Sequence, residues 1–173
     1  MTEVERSRTS LAEQLIALAA DRGVRIAAAE SLTGGLLTDT LVSIPGASRV
    51  VSGGVVAYDT YLKHSLLGVD FALLREHGPV HGEVARQMAA GVRFACSVPG
   101  QDDLEPADIG IATTGVAGPD ADPQSGQAAG TVWLGVSDSN GTEAVLLSLT
   151  GDRSAIRNQT VIAALELVLG RLK

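Results

Sequence analysis

A serine that follows an apolar run and precedes two glycines is the first place in this chain where chemistry can reside. In AAAESLTGGLL, residues 27–37, small apolar residues stop at Glu30-Ser31, and Thr33, Gly34 and Gly35 lead into a helical pattern. Ser31 or Thr33 can cap that helix. Alternatively Ser31 is a nucleophile, and the glycines let the backbone approach a ligand closely. Lys63 would be the base that such a nucleophile needs. It falls in AYDTYLKHSLL, residues 57–67, early in a helix that opens near Asp59-Thr60, where the macrodipole disfavours a cation. A lysine destabilised as ammonium has a lowered pKa and can take a proton from a hydroxyl. The other reading is a solvated lysine. Tyr58, five residues earlier, can orient Lys63 or relay a proton.

Two further stretches carry the same kind of signal. IATTG, residues 111–115, ends an apolar strand in Thr113-Thr114-Gly115, and GDRSAIR, residues 151–157, puts Arg153 and Arg157 in the first turns of the last helix. Cations there need a compensating anion. Either Asp152 provides it, or a ligand anion is held by free backbone N–H groups together with the arginine. Other candidates are weaker. His64, His77 and His81 lie in surface-like contexts, and Gly78-Pro79 keeps His77 and His81 off one helical face despite their spacing of four. Asp120 and Asp122 either hold a hard cation or serve as turn residues. No P-loop, dinucleotide-binding or nucleophile-elbow signature is present.

The elements that must position these groups follow from periodicity. Helices are expected over 9–22, 34–44, from 59–60 onward, and over 70–77, 82–97 and 152–171. Strands are expected over 24–29, 49–58 and 107–115, with Gly53-Gly54 marking a bulge or a close backbone approach. Two more strands flank Asn140-Gly141, a type I′ hairpin signal. Residues 115–129 form a Gly/Pro/Asp loop too long for a simple connector. Helices alternating with apolar strands predict a three-layer α/β/α sandwich, and the C-terminal β-hairpin makes its sheet mixed. The polar departures Glu30–Gly35, Tyr58-Asp59 and Thr113–Gly115 all fall at strand carboxyl ends, where ligands collect in open α/β sheets.

Composition bounds the partners. The chain has 173 residues, 45% hydrophobic and 19% charged, which fits one globular domain spanning residues 1–173. A net charge of −7 and only 3% aromatic residues argue against a nucleic-acid partner. Cys96 is the single cysteine, so an intrachain disulfide is impossible; a buried structural thiol is expected. Without a charged leader or an apolar run of membrane-spanning length, the reading is a soluble cytoplasmic protein.

AESLTGG, GGVVAYDTYLKHSLLGV, TTGVAGP, GTVWLGV and GDRSAIR resemble, in order and spacing, the CinA C-terminal domain family over about residues 8–171. The family includes stand-alone nicotinamide mononucleotide deamidases, and larger members carry an N-terminal domain that this chain is too short to contain. The resemblance implies a three-layer α/β/α fold and hydrolysis of the carboxamide of nicotinamide mononucleotide to nicotinate mononucleotide and ammonia. It carries the family's serine onto Ser31, its tyrosine and lysine onto Tyr58 and Lys63, its T/S-G-x-A-G-P loop onto Thr114, Gly115 and Gly118, and its G-D-R arginine onto Arg153. The chain departs from the family at Leu32, where many members have cysteine, at Asp59-Thr60, at His81 and across loop 120–129.

The expectation is therefore an amidohydrolase using a Ser–Lys pair, with no cofactor and no metal. Ser31, Tyr58 and Lys63 are its catalytic candidates. Thr33, Gly34 and Gly35 are expected to supply backbone oxyanion donors, and Glu30 to hold the loop or a ribose hydroxyl. Thr114, Gly115, Gly118 and Arg153 are the further substrate-binding candidates, with Arg153 reading the 5′-phosphate. The expected partner is a small nucleotide, and the expected assembly is a homo-oligomer, a dimer. The competing readings are a pyridine-nucleotide-binding module without turnover and a metal-dependent phosphohydrolase built on Asp120 and Asp122.

Overall fold

Strand residues that alternate between the two faces of one sheet sort the apolar side chains of this protein into two cores. The computed structural model describes residues 2–100 and 103–173. Its elements in order are α1 (Glu3–Arg22), β1 (Ile26–Glu30), α2 (Leu36–Val42), a 3₁₀ turn (Ala47–Arg49), β2 (Val51–Val56), α3 (Thr60–Leu67), α4 (Phe71–His77), α5 (Gly82–Ala95), β3 (Val98–Pro99), β4 (Leu104–Glu105), β5 (Ile109–Gly115), β6 (Thr131–Asp138), β7 (Gly141–Ser148) and α6 (Arg153–Arg171). The main sheet has the order β2-β1-β5-β6-β7. β2, β1 and β5 run parallel, while β6 and β7 are antiparallel additions. This is the expected mixed α/β/α sandwich with a C-terminal hairpin.

Ile26, Ala28, Ile109 and Ile111 face a core with α1, α2 and α6. Ala27, Ala29 and Ala112 face the other core, with α3, α4 and α5. The second face is built of small residues because α5 lies close against it. A Cβ on Gly110 would come within 1.9 Å of the Ala89 carbonyl oxygen, and one on Gly135 within 2.0 Å of that of Ala85. Carried one residue past β1, the same alternation sends Glu30 toward α2 and Ser31 toward α3. Among the described residues no helix is long and apolar enough to cross a membrane.

Several local expectations differ. Helix α1 starts at Glu3 rather than residue 9, because Thr2 and Glu5 form a reciprocal capping box. The hairpin is present, but its turn is not type I′. Asp138 pairs with Gly141 across it, and no non-glycine residue among those described has the positive φ that type requires. The short β3–β4 ribbon was not expected, since two residues per strand carry no periodicity. Cys96 is half-buried at the C-terminus of α5 rather than enclosed in the core. His81, though not a serine, does cap α5, accepting a hydrogen bond from the Glu83 amide at Nδ1 (3.1 Å).

Gly54 meets the expectation of a close approach. A Cβ there would lie 2.3 Å from Oγ1 and 3.2 Å from Cβ of Thr38. Threonine is stiff at χ1, so it cannot yield cheaply. Gly54→Ala is expected to destabilise the protein by about 1–3 kcal/mol, read as a lowered urea midpoint. An unchanged midpoint would show that β2 and α2 separate freely.

Candidate active site

Lysine and serine meet at the carboxyl end of β1. Lys63 is fully buried, and its Nζ lies 3.0 Å from Ser31 Oγ, 2.7 Å from the Ala57 carbonyl oxygen and 3.5 Å from that of Tyr58. The lysine reaches inward from the fourth residue of α3, while Ala57 and Tyr58 belong to the loop leaving β2. Burial pushes the Lys63 pKa down from 10.5 to about 8, and the Asp59 carboxylate partly opposes that shift. Desolvation, not the helix macrodipole invoked from the sequence, is therefore the main cause. Both oxygens facing Nζ from the β2 loop are neutral carbonyls, and no carboxylate among the described residues forms an ion pair with it. The pair can move a proton between a hydroxyl and an amine near neutral pH.

Glu30 anchors the turn that presents Ser31. Its carboxylate is fully buried and accepts from the amides of Gly35 (3.0 Å), Leu37 (3.0 Å) and Thr38 (2.8 Å) and from the Thr38 hydroxyl (2.6 Å). Of its two expected roles it fills the loop-holding one, and no part of it is exposed to a ribose. It also replaces Ser31 and Thr33 as the cap of α2, since Gly35 at the N-cap position offers no side chain. Thr33 is buried too, with its hydroxyl 2.7 Å from that of Thr113.

The expected oxyanion donors need correction. The Gly34 amide donates to the Ser31 carbonyl (3.1 Å) and the Gly35 amide to Glu30, so both are committed. Thr33 has no exposed surface. The Leu32 amide makes no hydrogen bond among the described residues, and Leu32 lines the cleft beside Ser31. Because a trans peptide is planar, the Ser31 carbonyl and the Leu32 N–H point in opposite directions, so the bond from Gly34 also aims the Leu32 donor.

The cleft holds about 210 Å³ and is walled by Ser31, Tyr58, Lys63, Val80, Thr114 and Arg153, among others. Thr114 serves the wall, its hydroxyl donating to the Pro79 carbonyl (2.7 Å). Gly115 is required by packing, because a Cβ would come within 2.6 Å of the Thr131 carbonyl oxygen. Arg153 spans the mouth, donating to the Gly118 carbonyl (2.9 Å) and to the Tyr58 hydroxyl (2.8 Å). Tyr58 thus contacts Lys63 only through its carbonyl; its exposed hydroxyl faces Arg153 and relays nothing to the pair. Asp152 caps α6 through the Ala155 amide (2.8 Å) instead of pairing with Arg153. Asp122 lines the cleft, yet its carboxylate accepts from the amide and hydroxyl of Ser125, both at 2.6 Å, as a turn residue does. No group of three His, Cys, Asp or Glu among the described residues is disposed to hold a metal ion. The His77 and His81 rings do meet, stacked 4.9 Å apart, because the Gly78-Pro79 bend folds one over the other.

Sequence reasoning did not single out Thr60, Pro79, Val80 and Ala117 as cleft walls. Thr60 and Ala117 lie inside the quoted motifs, while Pro79 and Val80 carried no local signal for the cleft.

A three-layer α/β domain with a buried Ser–Lys pair at its strand ends is the class that the fold and the site define. The chain belongs to the CinA C-terminal domain family, whose model matches residues 8–172. It is 43% identical over 159 residues to a CinA-like protein of Frankia casuarinae, covering 92% of this chain and 34% of that protein. It is 40% identical over 161 residues to a CinA-like protein of Anaeromyxobacter dehalogenans, covering 93% and 37%. The chain thus spans about a third of the length of these curated relatives. Among solved structures it resembles the competence/damage inducible protein CihA of Agrobacterium tumefaciens, with TM-score 0.86, 30% identity and 96% of each chain covered. A CinA superfamily protein of Klebsiella pneumoniae matches with TM-score 0.87 and 28% identity over 95% of this chain and 97% of that one.

Lys63 makes stability pH-dependent. Its folded pKa lies below the unfolded value, so below about pH 8 the folded state bears the full cost of an ammonium that the unfolded chain solvates freely. That cost is relieved as pH rises from about 8 toward 10.5. At about 1.36 kcal/mol per pKa unit, wild type should gain up to about 3 kcal/mol relative to Lys63→Met across this window. Urea unfolding of both proteins on either side of the window reads the difference, and a flat difference would mean that the lysine is not desolvated.

Proposed function

We propose that this domain hydrolyses the carboxamide of nicotinamide mononucleotide, releasing ammonia and nicotinate mononucleotide. The observation that carries the reading is the 3.0 Å contact between Lys63 Nζ and Ser31 Oγ, made by a buried lysine whose pKa is lowered to about 8. The family resemblance supplies the substrate class. Ser31 Oγ attacks the carboxamide carbon while neutral Lys63 takes its proton. The Leu32 amide donates to the developing oxyanion, a contribution of about 3–4 kcal/mol for a well-placed donor. Lys63 returns the proton to the departing amine, and ammonia leaves. Water then attacks the acyl-enzyme, with Lys63 again the base, and Ser31 is regenerated. Arg153, exposed at the mouth, exchanges its contacts with Tyr58 and Gly118 for the 5′-phosphate.

The test is ammonia release from nicotinamide mononucleotide in excess EDTA. Turnover supports the reading. Binding without turnover would favour a nucleotide-binding module, and phosphate release restored by added metal would favour a metal-dependent phosphohydrolase.

Ser31→Ala should abolish turnover and leave product affinity within a few-fold. Lys63→Arg should be as damaging as Lys63→Ala, because a guanidinium keeps the charge but cannot accept the proton. In wild type kcat/KM should rise with pH through a limb near 8 as Lys63 becomes neutral. An active arginine variant would reduce Lys63 to a fixed positive charge.

Arg153→Ala should raise KM for the mononucleotide by about ten- to a hundredfold, the worth of a charge-assisted hydrogen bond, with a smaller effect on kcat. Nicotinamide riboside lacks the phosphate and should be a poor substrate for both proteins. Equal losses on the two substrates would assign Arg153 to holding the mouth rather than reading phosphate.

A further inference from the structure

Arg157 holds the nucleophile turn through its backbone and is not itself among the residues that line the cleft. Its Nε donates to the Leu32 carbonyl (3.0 Å) and its Nη2 to the Thr33 carbonyl (2.6 Å), from a position in α6 more than a hundred residues along the chain. No carboxylate among the described residues lies within ion-pair distance of it, although the protein carries 20 acidic residues. A guanidinium whose partners are two neutral carbonyls of one turn contributes geometry and polarisation in place of charge pairing.

The bonds form a relay through two peptide units. Arg157 shares the Thr33 carbonyl with the Leu36 amide (3.2 Å) and makes the shorter bond to it, and the N–H of that same peptide, on Gly34, donates to the Ser31 carbonyl. The N–H of the Ser31–Leu32 peptide is the Leu32 donor beside Ser31. Each trans peptide is planar, so fixing one carbonyl fixes the opposite N–H. Hydrogen bonds arranged head to tail also polarise one another. The guanidinium therefore both aims the Leu32 amide and strengthens it as a donor.

We propose that Arg157 is a positioning residue for catalysis, setting the Leu32 amide as the oxyanion donor through the Thr33–Gly34 and Ser31–Leu32 peptides. This rests on Ser31 acting as the nucleophile. Arg157 stabilises charge that develops at the carbonyl oxygen and leaves ground-state binding alone.

The test compares wild type with Arg157→Gln and Arg157→Lys. A direct oxyanion donor is worth about a hundred- to a thousandfold in kcat, so Arg157→Gln, which keeps the amide but weakens it, should lose about ten- to a hundredfold in kcat with KM within a few-fold. Phosphonylation of Ser31 by a fluorophosphonate probe, which builds negative charge on a phosphoryl oxygen and expels fluoride, should slow by a similar factor. Nicotinate mononucleotide should bind all three proteins equally, and the pH limb of kcat/KM should not move, because the Lys63 environment is untouched. Arg157→Lys, which keeps one of the two bonds and the charge, should recover part of the loss. Unchanged kcat and labelling in Arg157→Gln would overturn the proposal, as would parallel losses of product affinity and Tm, which mark a general collapse of the turn. If wild type neither turns over the mononucleotide nor is labelled at Ser31, the Ser–Lys reading itself fails and the inference falls with it.

Discussion

Lys63 is the costly element of this structure, and much of the surrounding architecture bears on that cost. Its amine is buried and, among the described residues, bonds only the Ser31 hydroxyl and the carbonyls of the β2 loop. Transferring an ammonium into such surroundings is unfavourable, so the group shifts toward its neutral form. Helix α3 cannot release the side chain to water without breaking its own seat, since Leu67 and Val69 are buried beside α5 and the small-residue face of the sheet. The close packing of α5 on Gly110 and Gly135 thus has a consequence at the strand ends: it keeps α3 pressed over the lysine.

The turn at Ser31 is held by two opposite charges, one on its amides and one on its carbonyls. Glu30 gathers the amides of Gly35, Leu37 and Thr38, and Arg157 gathers the carbonyls of Leu32 and Thr33. Neither charged side chain pairs with the other; each bonds backbone groups of the turn, and Arg157 shares the Thr33 carbonyl with the Leu36 amide. This arrangement accounts for Gly34 and Gly35, whose φ values of +58° and +96° let the chain reverse between the two anchors. It also accounts for Gly54, which leaves room for the Thr38 side chain that completes the Glu30 shell.

The cleft mouth is assembled on a different principle. Arg153, Tyr58 and Gly118 come from α6, the β2 loop and the β5–β6 loop, and they meet through exposed hydrogen bonds. Such contacts cost little to exchange for a ligand. The floor of the site is buried, while its rim is made of exposed contacts.

Much of this was legible in the residues alone. Period-two and helical patterns placed nearly all of the longer elements, and polar residues at three strand ends marked the site, because both signals are local and repeat along the chain. Ser31 and Lys63 stood out because a hydroxyl before two glycines and a lysine early in a helix are each locally out of place. What each group does was decided by partners remote in sequence. Of the two roles open to Glu30, holding the loop or a ribose hydroxyl, the first was selected because its carboxylate is buried against the amides that open α2. The Tyr58 hydroxyl faces Arg153, 95 residues away, rather than the lysine five residues on. Gly34 and Gly35 spend their amides on other acceptors, and of the two amides left without one among the described residues, Leu32 and Thr33, only Leu32 lines the cleft. Sequence by itself determined the periodicities and the chemistry available at each position, since these are properties of single residues and their near neighbours. Only the tertiary structure decided which hydrogen-bonding groups remained unspent, because saturation of donors and acceptors is settled across the whole fold.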